Sequence, residues 1–179
     1  MKFIFVSLLA LSLSFAGIQT AVTAQGIDTS KIYRITVGGR AGCNNILSVA
    51  SCGSNLVDLF NVDDGSGRQH FKFVPVPGTN SFNIIVAGGR DGCNVFLSTA
   101  SCGSNLVDLF DHDDGSGRQR WTVTSEGSPF NIIVDGGRFG CNDFLSVASC
   151  TTGTNLVDMF SNDDGSGRQQ WFLTPVGNV

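Results

Sequence analysis

Three acid–aromatic pairs carry the most chemical potential in this chain: Asp58 with Phe60, Asp108 with Phe110, and Asp158 with Phe160. Residues two apart in an extended strand share a face, so each pair presents a carboxylate beside a ring. A carboxylate accepts two hydrogen bonds from vicinal hydroxyls, and an aromatic face stacks on the apolar C–H face of a sugar ring. The alternative is an ion pair of the Asp58–Arg68 type, repeated with Arg118 and Arg168, that holds a turn and binds nothing. Catalytic patterns are missing. The two histidines, His70 and His112, do not occupy equivalent positions, no serine has a base and an orienter, and Asp63 and Asp64 are neighbours expected to point apart. The stretch Asp111-His112-Asp113-Asp114-Gly115 resembles part of a calcium loop, but it lacks the EF-hand spacing and terminal glutamate and reads as a solvated Asp-Gly turn. The expectation is a non-enzyme with no metal and no cofactor.

These pairs recur because the chain is a triple repeat. Segments beginning at Val37, Val86 and Val134 align through Phe71, Trp121 and Trp171, and Arg68, Arg118 and Arg168 are evenly spaced. The third unit is shortened in its connector and regains register through a Thr151-Thr152 insertion. Alternation divides each unit into four short strands. In the first unit these are Tyr33 to Val37, Ile46 to Ala50 with Leu47 and Val49 inward and Ser48 outward, Leu56 to Phe60 with Val57 and Leu59 inward, and a strand starting at Gln69 with Phe71 and Phe73 inward. Asp-Asp-Gly-Ser-Gly supplies turn chemistry before the fourth strand. A unit this short cannot bury its apolar face alone, so three copies must share a core. A closed threefold barrel with hairpins capping one end removes exposed edges. The reading is therefore all-β: a β-trefoil of three four-stranded repeats with pseudo-threefold symmetry. The repeats span about residues 31–75, 80–124 and 128–174 of a single domain at 25–179.

Lys2, an apolar run from Phe3 to Ile18, and Val22-Thr23-Ala24 before Gln25 read as a signal peptide over residues 1–24. The apolar run is short for a membrane span, so the mature chain is expected to be secreted and extracellular. The composition contains 23 glycines and 14 phenylalanines, and Glu126 is the only glutamate, which favours strand and turn over helix. A net charge of −4 with no basic stripe argues against nucleic acid as a partner. In an exported chain six cysteines should be oxidised. The repeat suggests one disulfide per unit: Cys43 with Cys52, Cys93 with Cys102, and Cys141 with Cys150. That pairing requires the second strand to be short, with both flanks folding back, because a fully extended strand would separate each pair by about 30 Å.

Asn-Leu-Val-Asp-Leu-Phe followed by Gln119-Arg120-Trp121 and Gln169-Gln170-Trp171, with Gln69-His70-Phe71 as a degenerate copy, resembles the ricin B-type lectin family of β-trefoils over about residues 31–174. The resemblance implies up to three similar carbohydrate sites, one per repeat, for a glycan or a cell-wall or extracellular polysaccharide. In that family the third strand faces the sugar with a polar residue and an aromatic, the positions of Asp58, Phe60 and their copies. The family's strand-two aspartate aligns with Ser48, Ser98 and Ser146, and its frequent asparagine aligns with Arg68, Arg118 and Arg168. Gln69, Gln119 and Gln169 would contact sugar or brace the pocket floor, while Phe71, Trp121 and Trp171 belong to the core. Competing readings are a structural or adhesive matrix protein and a Kunitz-type trefoil protease inhibitor. An inhibitor would rest on one unique loop, whereas here the distinctive residues recur in all three units. No Asn-x-Ser/Thr sequon occurs.

Overall fold

The computed structural model describes residues 23–24, 26–124 and 127–179. The segment expected to be a signal peptide, apart from Thr23 and Ala24, lies outside the described residues. A short pair, β1 (Thr23–Ala24) with β2 (Ile27–Asp28), precedes the repeats. The first unit contributes β3 (Lys31–Val37), β4 (Ile46–Val49), β5 (Val57–Phe60) and β6 (His70–Pro75). The second contributes β7 (Phe82–Val86), β8 (Phe96–Thr99), β9 (Val107–Phe110) and β10 (Trp121–Thr124). The third contributes β11 (Asn131–Val134), β12 (Phe144–Val147), β13 (Val157–Phe160) and β14 (Trp171–Asn178). The Thr151-Thr152 insertion forms a single 3₁₀ turn over Cys150–Thr152, ended by Gly153.

The first and fourth strands of the units build the barrel. β3 pairs with β6, β6 with β7, β7 with β10 and β10 with β11, and β14 returns to β3. A bridge between Phe130 and Trp171 joins the third unit's first strand to β14 and closes the ring. The second and third strands form three hairpins, β4–β5, β8–β9 and β12–β13. These hairpins also pair with one another, through bridges Leu56 to Asp108, Leu106 to Asp158 and Leu156 to Asp58. The amides of Leu59, Leu109 and Met159 donate to the carbonyls of Asn155, Asn55 and Asn105, each at 3.1 Å. The twelve-stranded sheet is thus a β-trefoil, and its threefold cap is stitched by backbone bonds between units.

One core runs through all three units. Leu47, Leu59, Phe71 and their copies Leu97, Leu109, Trp121, Leu145, Met159 and Trp171 are fully buried. Both tryptophans donate Nε1–H at 2.9 Å, to the carbonyls of Leu97 and Leu145, which satisfies the one polar atom each carries inward. The Gly-Gly of each unit seats on the Gly-Ser-Gly of another. At Gly39 and Gly89, both at positive φ, a Cβ would lie 2.3 Å from the carbonyl oxygens of Ser166 and Ser66. No other residue fits there without moving backbone.

The cysteine pairing differs from the expectation. The disulfides are Cys52–Cys93, Cys102–Cys141 and Cys43–Cys150, with Cα separations of 5.9, 5.9 and 6.1 Å. Every bridge therefore links two units. Cys43 and Cys52 flank the same extended strand, β4, which carries them apart. The closure of the barrel brings the second cysteine of one unit beside the first cysteine of another.

An arginine accompanies each of these junctions. Arg90 donates from Nε to the carbonyl of Asn94 at 2.8 Å, and across the junction to the carbonyls of Ala50 and Ser54 and to Asn55 Oδ1. Arg138 grips Ala100, Ser104 and Asn105 in the same way, and Arg40 grips Ala148, Thr154 and Asn155. All three are buried, and burial pulls their guanidinium pKa down. Apart from each Nε bond to a carbonyl of its own loop, their hydrogen bonds go to neutral oxygens of the loop that carries the partner cysteine.

Candidate functional site

Each hairpin turns one face toward the core and the other away from it. On β5, Val57 and Leu59 are buried, Asp58 is half-buried and Phe60 is exposed, so the expected two-residue alternation is realised. β9 and β13 repeat the pattern with Phe110 and Phe160 half-buried. Across each hairpin Ser48 is opposite Asp58, Ser98 opposite Asp108, and Ser146 opposite Asp158. Ile46, Phe96 and Phe144 are opposite the three phenylalanines.

The serines and glutamines lie behind this face. Ser48, Ser98 and Ser146 are buried, as are Gln69, Gln119 and Gln169. Each glutamine Nε2 donates to the serine Oγ of its own unit, at 3.0, 3.0 and 2.9 Å. Ser48 keeps the outward alternation expected for it, but its hydroxyl is buried rather than open, because Gln69 covers it. Each pair forms a floor beneath the strand that is hydrogen-bonded to the one carrying the aspartate.

The arginines are engaged with the turn rather than with the strand-three carboxylates. Arg68 Nη2 pairs with Asp64 Oδ2 at 2.8 Å, and its Nε donates to Ser66 Oγ at 3.0 Å. Arg118 pairs with Asp114 at 3.0 Å and Arg168 with Asp164 at 2.7 Å. The Asp58–Arg68 ion pair set against sugar binding therefore does not form; the turn aspartate four residues upstream takes that arginine. Asp63 and Asp64 do point apart, with Asp63 reaching His70 Nε2 at 2.7 Å. Asp113 accepts from Arg120 Nε at 2.7 Å, and Asp163 from Asn131 Nδ2 at 3.0 Å. The first oxygen of each turn acid also accepts a backbone amide two residues on, as in Gly65 to Asp63 and Ser66 to Asp64. These are closed Asp turns.

Among the described residues Asp58, Asp108 and Asp158 take part in no ion pair. Burial raises the pKa of all three above the ordinary 3.8, opposed mainly by the nearby charges of Arg68, Arg118 and Arg168. Asp158 Oδ1 is buried without a hydrogen-bond partner. The turn acids go the other way. Asp64, Asp114 and Asp164 are held below 3.8 by hydrogen bonds from Ser66, Ser116 and Ser166, and less strongly by their arginines. So each unit keeps one half-buried carboxylate outside any ion pair among the described residues, while the turn acids beside it are engaged by arginines and turn serines.

The three rings are not equally open. Phe60 is 38% exposed, whereas the guanidinium of Arg168 lies 5.7 Å from the centroid of Phe160 and His112 stands at the same distance from Phe110. The first unit offers its ring most freely for stacking.

The fold places the chain among known structures. It superposes on Cry35Ab1 with a TM-score of 0.65 at 20% identity, covering 86% of this chain and 38% of that one. It matches the Polyporus squamosus lectin bound to the epitope Neu5Aca2-6Galb1-4GlcNAc at 0.62 and 16% identity, covering 83% of this chain and 50% of the lectin. It matches the BEL β-trefoil at 0.62 and 16% identity, covering 92% of this chain and all of that one (100%). No family model and no curated sequence matches the chain. The protein has the β-trefoil fold, as the repeats implied. It spans less than two thirds of Cry35Ab1 and of the Polyporus lectin, and nearly the whole of itself against BEL.

Proposed function

We propose that the protein is a secreted, non-catalytic carbohydrate-binding protein with up to three similar glycan sites, one per repeat, formed by Asp58 and Phe60, Asp108 and Phe110, and Asp158 and Phe160. The observation that carries this reading is the three half-buried aspartates left out of ion pairs beside aromatic rings. A half-buried carboxylate outside an ion pair costs stability unless hydrogen bonds satisfy it, and sugar hydroxyls supply such bonds beyond the one that Ser146 gives Asp158. The lectins among the structures of the same fold support carbohydrate binding in general. Arg68 and its copies rim each site, and the Ser48–Gln69 pairs support it from below. Three disulfides fit an oxidising, extracellular location, and no helix among the described residues is long and apolar enough to cross a membrane. Weak sites repeated three times gain by avidity on a glycan polymer or surface.

A glycan array probed with residues 25–179 tests this reading. Binding to a restricted set of glycans is expected, and no binding to any glycan or polysaccharide would remove it.

The pKa directions add a second test. Asp58, Asp108 and Asp158 have raised folded values, so their protonated forms contribute stability that is fully present below 3.8 and lost as pH rises through the raised values. The turn acids, with lowered values, contribute stability present above 3.8 that is lost as pH falls through those lowered values. Acidification toward 3.8 therefore protonates the site carboxylates while the turns hold. Glycan binding is expected to fade in that window with the circular dichroism spectrum unchanged. Binding that persists until the protein unfolds would contradict it.

A further inference from the structure

The bridges that stitch the cap also set what stands beside each site carboxylate. Residues opposite one another in an antiparallel pair point to the same face, with Cβ atoms about 4.5–5.5 Å apart. Asp108 is opposite Leu56, Asp158 opposite Leu106, and Asp58 opposite Leu156. In every case the leucine comes from a different unit than the aspartate. Within a unit, Leu56 and Asp58 also share a face, being two apart. Leucine and aspartate therefore alternate in a closed ring around the pseudo-threefold axis. The three leucines are exposed, at 46, 44 and 44%, although they occupy strand positions flanking half-buried acids. An exposed leucine of this size, repeated three times at one position, is an apolar wall without a covering group.

We infer that each glycan site is composite: the leucine of another unit forms an apolar wall beside the carboxylate, and the sites select hexoses that carry a methyl-terminated substituent. This rests on the glycan reading above. An acetamido group suits the wall, its N–H donating to the carboxylate and its methyl packing on the leucine. A 6-deoxy sugar suits it too, with a ring hydroxyl on the carboxylate and the C6 methyl on the leucine. Burying one such methyl contributes about 0.8 kcal/mol, or roughly fourfold in affinity.

The test isolates one site. In the Asp58→Asn/Asp158→Asn background only the Asp108 site keeps its carboxylate, and its wall is Leu56. Dissociation constants are measured by NMR titration with the methyl glycosides of N-acetylglucosamine and L-fucose, and with their unsubstituted counterparts glucose and L-galactose. At least one substituted sugar is expected to bind about fourfold or more tighter than its counterpart. Leu56→Ala should erase that preference, and Leu56→Met should restore it. Val62→Ala, at an exposed apolar residue outside the ring, should leave it unchanged. A preference that survives Leu56→Ala, or equal affinity for both sugars of each pair, overturns the composite wall while glycan binding stands. Binding by the wild type to other glycans on the array but to none of these probes overturns it as well. If the wild type binds no glycan at all, the wall and the glycan reading fall together.

Discussion

Arg90→Met lowers stability by about 3–5 kcal/mol and the melting temperature by roughly 10 °C. The side chain is 2% exposed, and it supplies the donors for the carbonyls of Asn94, Ala50 and Ser54 and for Asn55 Oδ1. Methionine has similar reach and no donor, so four oxygens lose their partner inside a junction that closes around them. Oxidised protein is the right sample, because Cys52–Cys93 then keeps the two units joined and the loss reports the arginine alone. Arg68→Met is the control: its pair with Asp64 is near the surface and is worth at most about 1 kcal/mol. Equal and small losses for the two variants, read by thermal unfolding, would show that the buried arginines are not what seals the repeats.

The triple variant Asp58→Asn/Asp108→Asn/Asp158→Asn abolishes glycan binding and does not lower the melting temperature. Asparagine keeps the shape and removes a charge that burial disfavours. Since none of these aspartates has an ion-pair partner among the described residues, no counter-charge is left unpaired by the change. On the ligand side, a hydrogen bond to a charged acceptor contributes about 1.5–3 kcal/mol, so each site loses roughly ten- to a hundredfold. Loss at all three sites removes avidity as well. A folded variant that binds normally would show that the carboxylates do not hold the sugar, and one that unfolds would assign them a structural role instead.

What could be read from the residues was whatever repeats locally. The alternation of Val57, Asp58, Leu59 and Phe60 requires only the two-residue period of a strand, and the structure reproduces it in three copies. Phe71, Trp121 and Trp171 were legible as core because they continue the inward register of the fourth strand. Four-stranded units in threefold array led to the trefoil for the same reason. Relations between units were not legible. The repeat makes Cys43 and Cys52 neighbours in sequence, yet partners are chosen by barrel closure, which moves Cys52 to Cys93. Arg40, Arg90 and Arg138 follow glycines in a segment that reads as surface loop, and nothing local reveals that at least two carbonyls and an asparagine of another unit await each of them. Arg68 could reach two carboxylates by sequence, and only the Asp turn, which curls Asp64 toward it, decides between them. Ser48 alternates outward as expected, but the burial of its hydroxyl depends on Gln69 arriving from the turn before β6.

Titration of ¹⁵N-labelled protein with the strongest binder from the array locates the sugar on the molecule. Amide shifts are expected to saturate together at Asp58 and Phe60, with their copies at 108, 110, 158 and 160 following, and the largest change at Phe60, whose ring is most open. Shifts confined to loops away from the hairpin cap, or no shifts at saturating glycan, would contradict that placement.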